Sequence, residues 1–278
     1  AAVLNGFGKS MGLIQIEELG TIETPIVMTN TLSIGTAATA LTKYMLEQNK
    51  DIGTPTGTVN CVVTECNDGS LNDIRGLHVT EEDVFKALNS PSDTFDEGAV
   101  GSGTGMCCLG FKGGLGSSSR VLDIDGKEYT IGAMVMSNFG SSGNLTIGGD
   151  HIGRRIKEEQ NKKKDQGSII IIIATDIPLS ERQLKRVAKR ASISLARTGS
   201  YMGNGSGDIA IAFSTANRIP HYSKEDIIET KMFYDENIDR VFEASVEAVE
   251  EAVISSLYHA ETTVGIGGKE VKGLKGFL

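Results

Sequence analysis

Five consecutive isoleucines, Ile169 to Ile173, constrain this chain more than any other feature. A β-branched run without polar alternation suits a strand buried on both faces. The stretch before it has the opposite character. From Arg154 to Gln166, nine of 13 residues are charged and Ile156 is the one large apolar side chain. Such a stretch buries too little surface to offset its ordering entropy, and it reads as a linker. Gly167-Ser168 joins the two.

The remaining elements follow from periodicity. Thr36 to Gln48 predicts a helix, with Ala37, Ala40, Leu41, Tyr44 and Met45 on one face. Thr80 to Asn89 predicts a short helix stopped before Pro91. Ser180 predicts an N-cap, with Gln183 three residues on as a capping box requires. The helix after it carries a stripe of Leu184, Val187, Ala188, Ala191 and Leu195, and Gly199 stands just past its end. A last helix spans Asp239 to Glu261, with Phe242, Val246, Val249, Val253 and Leu257 on its apolar face. Strands are expected at Val59 to Thr64, Met106 to Phe111, Tyr129 to Phe139 and Asp208 to Thr215, with a glycine-rich turn at Gly113 to Gly116. No regular βαβ repeat emerges, so the expectation is mixed α/β in layers. A length of 278 residues suits one large domain or two small ones. The opening Ala1-Ala-Val-Leu reads as the inside of a strand, so further sequence is expected upstream.

Several function classes fall away. A net charge of −9 argues against nucleic acid or an acidic membrane surface as partner. No apolar run is long enough to span a bilayer, and no signal peptide is visible. Cys61, Cys66, Cys107 and Cys108 match no zinc spacing and read as reduced thiols of a cytoplasmic protein. No metal or organic cofactor is expected. The glycine clusters invite a dinucleotide fingerprint, but the third required glycine is Met106, Ser119 or Asp208 in the three candidates, and no phosphate-cradling loop of the G-x-x-x-x-G-K-[ST] type occurs. His78, His151, His221 and His259 stand in no metalloprotease motif, and no G-x-S-x-G elbow exists. A triad assembled from distant residues stays open.

A serine can also be activated without histidine. An α-amino group titrates near 7.7–8.0, against about 10.4 for lysine. A chain beginning with Ser therefore holds a hydroxyl and a usable base in one residue. Cleavage before Ser168 would create that residue. Gly167 has no side chain to block attack on its own carbonyl, and it tolerates a strained backbone. On these residues alone, an ordinary Gly-Ser turn before a strand is the plainer reading.

A wider pattern bears on that choice. It comprises Val3-Leu-Asn-Gly-Phe-Gly-Lys9, Ile22-Glu-Thr-Pro-Ile26, Asn67-Asp-Gly69, Gly101-Ser-Gly-Thr-Gly-Met106, Gly110-Phe-Lys-Gly-Gly114, Ser137-Asn-Phe-Gly140, Gly167-Ser168, Ala174-Thr-Asp176 and Gly203-Asn-Gly-Ser-Gly-Asp208. In this order, from Val3 to about Gly265, the sequence resembles the L-aminopeptidase/D-esterase (DmpA-like) family, which includes the β-aminopeptidyl peptidases. The resemblance implies a layered αββα sandwich shared with ornithine acetyltransferases. It implies one self-processing domain over residues 1–278, cut between Gly167 and Ser168 into chains 1–167 and 168–278. It carries Ser168 over as nucleophile and Asn138 as oxyanion donor. Ser206 and Asp208 carry over as the pair that orients the Ser168 amine and hydroxyl. Family members often have Glu where this chain has Asp208, and they carry some tens of residues before the Val-Leu-Asn-Gly-Phe motif.

The implied activity is release of N-terminal residues from small peptides, amides or esters through an acyl-enzyme. An aminopeptidase must hold its substrate's free amine, and Glu65, just before the Asn67-Asp68-Gly69 turn, is the candidate carboxylate. A solvated glutamate at a strand end is the plainer reading of Glu65. The resemblance also implies a homo-oligomer, a tetramer. Two alternatives differ in class: acyl transfer as in ornithine acetyltransferases, which use a threonine nucleophile, and an inactive small-molecule-binding scaffold.

Overall fold

The structure is a computed structural model that describes residues 1–4, 8–156 and 166–278. Residues 5–7 of the opening motif and 157–165 of the charged stretch lie outside the described residues. The elements in chain order are β1 (Ala2–Leu4), α1 (Leu13–Leu19), β2 (Ile26–Asn30), α2 (Ile34–Gln48), β3 (Val62–Cys66), α3 (Glu81–Asn89), β4 (Cys107–Cys108), β5 (Phe111–Lys112), β6 (Gly114–Ile124), β7 (Lys127–Asn138), α4 (Ile152–Ile156), β8 (Gln166–Thr175), α5 (Glu181–Thr198), β9 (Gly205–Ser214) and α6 (Asp239–Tyr258).

The isoleucine run explains the layering. β8 is the middle strand of a sheet ordered β1-β9-β8-β7-β6, parallel to β9 and antiparallel to β7. Its two faces enter different cores. Ile169, Ile171 and Ile173 pack with Leu184, Val187, Val249 and Val253 of α5 and α6. Ile170 packs on the opposite face with Val62 and Cys66 of β3. β3 pairs in parallel with β2 to form a second, smaller sheet. The far side of that sheet buries Val63 against Ile34, Ala37 and Leu41 of α2 and Val84 of α3. The layers therefore run helices α5 and α6, large sheet, small sheet, helices α2 and α3. This is the αββα sandwich.

Local chemistry fixes the helix ends, at Ser180 and Gly199 as expected and at Thr80 through a box that the sequence reading did not name. Thr80 and Ser180 each close a capping box, and Gly199 ends α5 at φ 109°. Two strand expectations and one turn need correction. The Val59–Thr64 strand is β3, displaced to Val62–Cys66. The Met106–Phe111 strand is two short strands, because Leu109 and Gly110 take φ of 50° and 87° and turn the chain back. Gly113 to Gly116 is no free turn: Gly114 begins the long strand β6. Gly116 is glycine because a Cβ there would lie 2.1 Å from the Ala252 carbonyl oxygen of α6. The β6–β7 hairpin closes on Asp125-Gly126, with φ of 54° and 76°, the two-residue turn that matches strand twist.

Parallel crossovers also occur, β2-α2-β3 and β8-α5-β9, one in each sheet. The start of the charged linker, Arg154 to Ile156, closes the short helix α4. All four cysteines are free thiols. Among the described residues, no helix is long and apolar enough to cross a membrane.

Candidate active site

Ser168 lies near the start of β8, clasped between two strands. Its register partners are Asn138 on β7 and Gly207 on β9, while Gly167 pairs with Ser206. Gly167 has φ of 145°, and a Cβ there would sit 1.9 Å from the Asn138 carbonyl oxygen. No other residue fits that position without moving the backbone. By strand alternation the Ser168 side chain shares the face of Ile170, between the two sheets. There it lines a cleft of about 400 Å³ with Thr31, Glu65, Cys107 and Asn138.

Asn138 is buried, and its amide has a fixed orientation. Its Oδ1 accepts from the Cys107 backbone N–H at 2.8 Å, and its Nδ2 donates to the Asn67 carbonyl at 2.8 Å. Both partners have obligate roles, so a flipped amide would oppose donor to donor and acceptor to acceptor. One Nδ2 hydrogen remains for another acceptor.

Glu65 is not a solvated strand-end residue. It sits within β3, is only 5% exposed, and still lines the cleft. Its Oε1 accepts from the Lys9 backbone N–H at 3.1 Å, and its Oε2 accepts from the Thr31 hydroxyl. A carboxylate held this way at the wall of a cleft can receive a substrate ammonium group.

Ser206 and Asp208 are placed differently. Both are buried, and the Ser206 hydroxyl donates to Asp208 Oδ1 at 2.6 Å. They alternate with Gly205 and Gly207, which line the cleft. Their side chains share the other sheet face with Ala210, which belongs to the helix-side core. The pair thus flanks Ser168 from behind: Ser206 beside Gly167 and Asp208 beside Ile169.

Two further groups shape the electrostatics. Lys112 is fully buried, and its ammonium donates to the carbonyls of Gly103, Met106 and Gly113 at 3.0, 2.7 and 2.6 Å. Burial pulls its pKa down to about 8, partly opposed by the Cys107 and Cys108 thiols. Cys66, behind the cleft, has a thiol pushed well up by burial first and then by Glu65. It stays neutral and serves as core. Among the described residues, no group of three or more His, Cys, Asp or Glu could hold a metal ion.

The cleft therefore gathers Ser168, Gly167, Asn138 and Glu65. Reading the sequence overlooked Thr31, Lys9, Cys107 and Lys112. Lys112 had a signal, since a lysine amid Gly110-Phe-Lys-Gly-Gly114 interrupts an otherwise apolar and glycine-rich turn. Thr31 had none.

The chain is similar to known proteins along nearly its whole length. The β-peptidyl aminopeptidase BapA of Sphingosinicella microcystinivorans is 36% identical over 286 aligned positions, covering 97% of this chain and 71% of that protein. A crystal structure of a Pyrococcus horikoshii protein superposes with a TM-score of 0.93 at 57% identity, covering 98% of this chain and 75% of the other. The L-aminopeptidase D-Ala-esterase/amidase of Ochrobactrum anthropi, described as a variant of the Ntn hydrolase fold, superposes at 0.88 with 40% identity, covering 98% and 77%. The sequence profile of peptidase family S58 matches residues 1–271, and the chain belongs to that family.

Proposed function

We propose that this chain is an N-terminal-nucleophile serine aminopeptidase that frees its own nucleophile by cutting Gly167-Ser168. The observation that carries the reading is the placement of Gly167-Ser168 in register with Asn138, at the wall of a cleft that also holds the buried carboxylate of Glu65.

In the first reaction, the Ser168 hydroxyl attacks the Gly167 carbonyl carbon. The C–N bond breaks, the Ser168 nitrogen takes a proton and becomes a free amine, and Gly167 is left as an ester on Ser168. Water hydrolyses the ester, giving chains 1–167 and 168–278. In the second reaction, the Ser168 amine takes the hydroxyl proton as the oxygen attacks a substrate carbonyl. Asn138 donates its remaining Nδ2 hydrogen to the developing oxyanion, adding no titrating charge of its own. The same amine hands the proton to the leaving group, and water releases the acyl group from Ser168. Glu65 holds the substrate's own ammonium group. Ser206 and Asp208 orient and charge-stabilise the Ser168 amine.

The substrates are small peptides, amides or esters with a free amine. A homo-oligomer, a tetramer in the family pattern, and a cytoplasmic setting complete the proposal; the four free thiols support the setting. Ser168→Ala tests the mechanism because it removes the attacking oxygen and little else. The variant should fold, remain one chain by intact mass, and release nothing from aminoacyl p-nitroanilides. If wild type and variant both stay full length while the wild type hydrolyses peptides, the mechanism is wrong.

A further inference from the structure

Lys112 is the one cation that burial removes wholly from solvent among the described residues, and the mechanism above leaves it unused. Burying an ammonium group is costly unless its hydrogen bonds are satisfied, so its position asks for a reason. Its three donors go to the carbonyls of Gly103, Met106 and Gly113. Gly103 and Met106 belong to the Gly101–Met106 turn, and Gly113 follows β5. One ammonium group thus ties the turn to the strand that carries it. The residue after the turn is Cys107, register partner of Lys112 itself, and its N–H holds Asn138 Oδ1.

We propose that Lys112 is a positioning residue for the oxyanion site, fixing the Gly103–Met106 turn so that the Cys107 N–H locks the Asn138 amide with one Nδ2 hydrogen left for the oxyanion. The proposal rests on the reading of Asn138 as oxyanion donor. A turn built on Gly101, Gly103 and Gly105 has high intrinsic backbone freedom. From within, the Thr104 hydroxyl ties only its first carbonyl, that of Gly101, at 2.7 Å, and the Lys112 ammonium is the side chain that ties the Gly103 and Met106 carbonyls. Backbone carbonyls crowded together repel one another, and a shared ammonium turns that repulsion into attraction. Released from the clamp, the Cys107 N–H would shift, and the Asn138 amide would lose the contact that forbids its flip. The flipped amide would present an acceptor where the oxyanion needs a donor.

The self-cleavage of the full chain is the suitable readout, because an intramolecular reaction has no binding step and its rate reports barrier height alone. Wild type, Lys112→Met, Asn138→Ala and the double variant would be made by cell-free synthesis, and appearance of the 168–278 chain followed by intact mass. Attack on the Gly167 carbonyl develops an oxyanion just as attack on a substrate does, and Asn138 is the proposed donor to both. Removing one oxyanion donor costs about 100-fold or more in rate, which is the expected effect of Asn138→Ala on self-cleavage. Lys112→Met is expected to slow cleavage at least about tenfold, at temperatures well below its unfolding midpoint. The double variant is expected within about twofold of Asn138→Ala alone, since residues acting through one group are not additive.

A lysine with a merely structural role would lower the unfolding midpoint and leave the cleavage rate untouched, and that result overturns the proposal. So does a double variant that loses the full product of the two single effects. Wild-type cleavage in Asn138→Ala is a different result: it removes the oxyanion reading itself, and the Lys112 proposal with it. Should Lys112→Met fail to fold, Lys112→Gln, which keeps two donor hydrogens without the charge, carries the same comparison.

Discussion

Gly167→Ala is the most demanding test of the site, because its effect can be worked from backbone geometry. A Cβ at position 167 would stand 1.9 Å from the Asn138 carbonyl oxygen and 2.9 Å from its carbon. Ordinary contact needs roughly 3.5 Å, so the two strands must part by more than an ångström where Asn138 pairs with Ser168. The backbone there also has φ of 145°, which disfavours any L side chain. The rest of β8 is anchored on both faces, by Ile169, Ile171 and Ile173 in one core and Ile170 in the other, so the shift is confined to the start of the strand. The stability cost is then about 1–3 kcal/mol, as for other local backbone strain. The rate cost is larger, because displacing reacting groups by about 1 Å costs on the order of 100-fold. Gly167→Ala should therefore fold with a modestly lowered midpoint and cleave itself at least about 100-fold more slowly. The assay pairs thermal unfolding with an intact-mass time course. Cleavage at the wild-type rate would refute the reasoning, since the methyl group would then have found room that the structure denies it.

Three other outcomes follow. Glu65→Gln should lower kcat/KM by about 10–100-fold for substrates with a free amine, and little for analogues lacking it, because a charge-assisted contact at a buried site is worth about 1.5–3 kcal/mol; equal losses on both would remove Glu65 from amine recognition. Asp208→Asn should lower turnover at least about tenfold, roughly 1.4 kcal/mol of barrier, measured on correctly cleaved enzyme; unchanged turnover would sink the assignment. The third concerns pH and stability. Lys112 titrates at about 8 in the folded chain, below the ordinary 10.5, so between those values the unfolded chain binds more protons and folding stability from this group rises with pH. The unfolding midpoint of wild type relative to Lys112→Met should accordingly climb from pH 8 to pH 10.5, and a gap that shrinks would contradict the buried ammonium.

What the sequence disclosed depended on whether a signal was local. The isoleucine run, the two capping boxes and the α5 stripe are local, and each appears where the residues place it. Asp125-Gly126 is equally local and marks the β6–β7 hairpin, whereas the glycines at 113 to 116 have the composition of a turn without forming one. Those glycines answer to distant segments: Gly113 lies against Ser137 of β7, Gly114 against Gly98, and Gly116 is small because Ala252 of α6 lies against it. Nothing near position 116 records that. Glu65 shows the same limit. Its nearest sequence neighbours suggested a strand end, whereas its burial depends on Thr31 and Lys9, contributed by separate segments. The proposed site residues were thus nameable from motifs, while their faces and partners required the packing of four layers.

The faces matter most for Asp208. A strand's peptide groups point in the plane of its sheet, toward the neighbouring strands, while its side chains point above and below. On the proposed cleavage, the amine freed at Ser168 would begin between β7 and β9, open to groups on either face. Its own hydroxyl approaches from the cleft side. Ser206, paired with Gly167, stands on the opposite side with Asp208 behind it. In this arrangement the shorter aspartate need not span the distance that a glutamate would. It has only to reach Ser206, and it does so at 2.6 Å. With its proton given to the carboxylate, Ser206 would have its lone pairs left for the amine in the proposed mechanism. A charged amine gains from the carboxylate at this remove, and a neutral amide at 208 would keep the Ser206 contact through its Oδ1 while losing the charge. The loss in Asp208→Asn consequently reads the electrostatic contribution apart from the positional one, whereas Asp208→Ala would remove both.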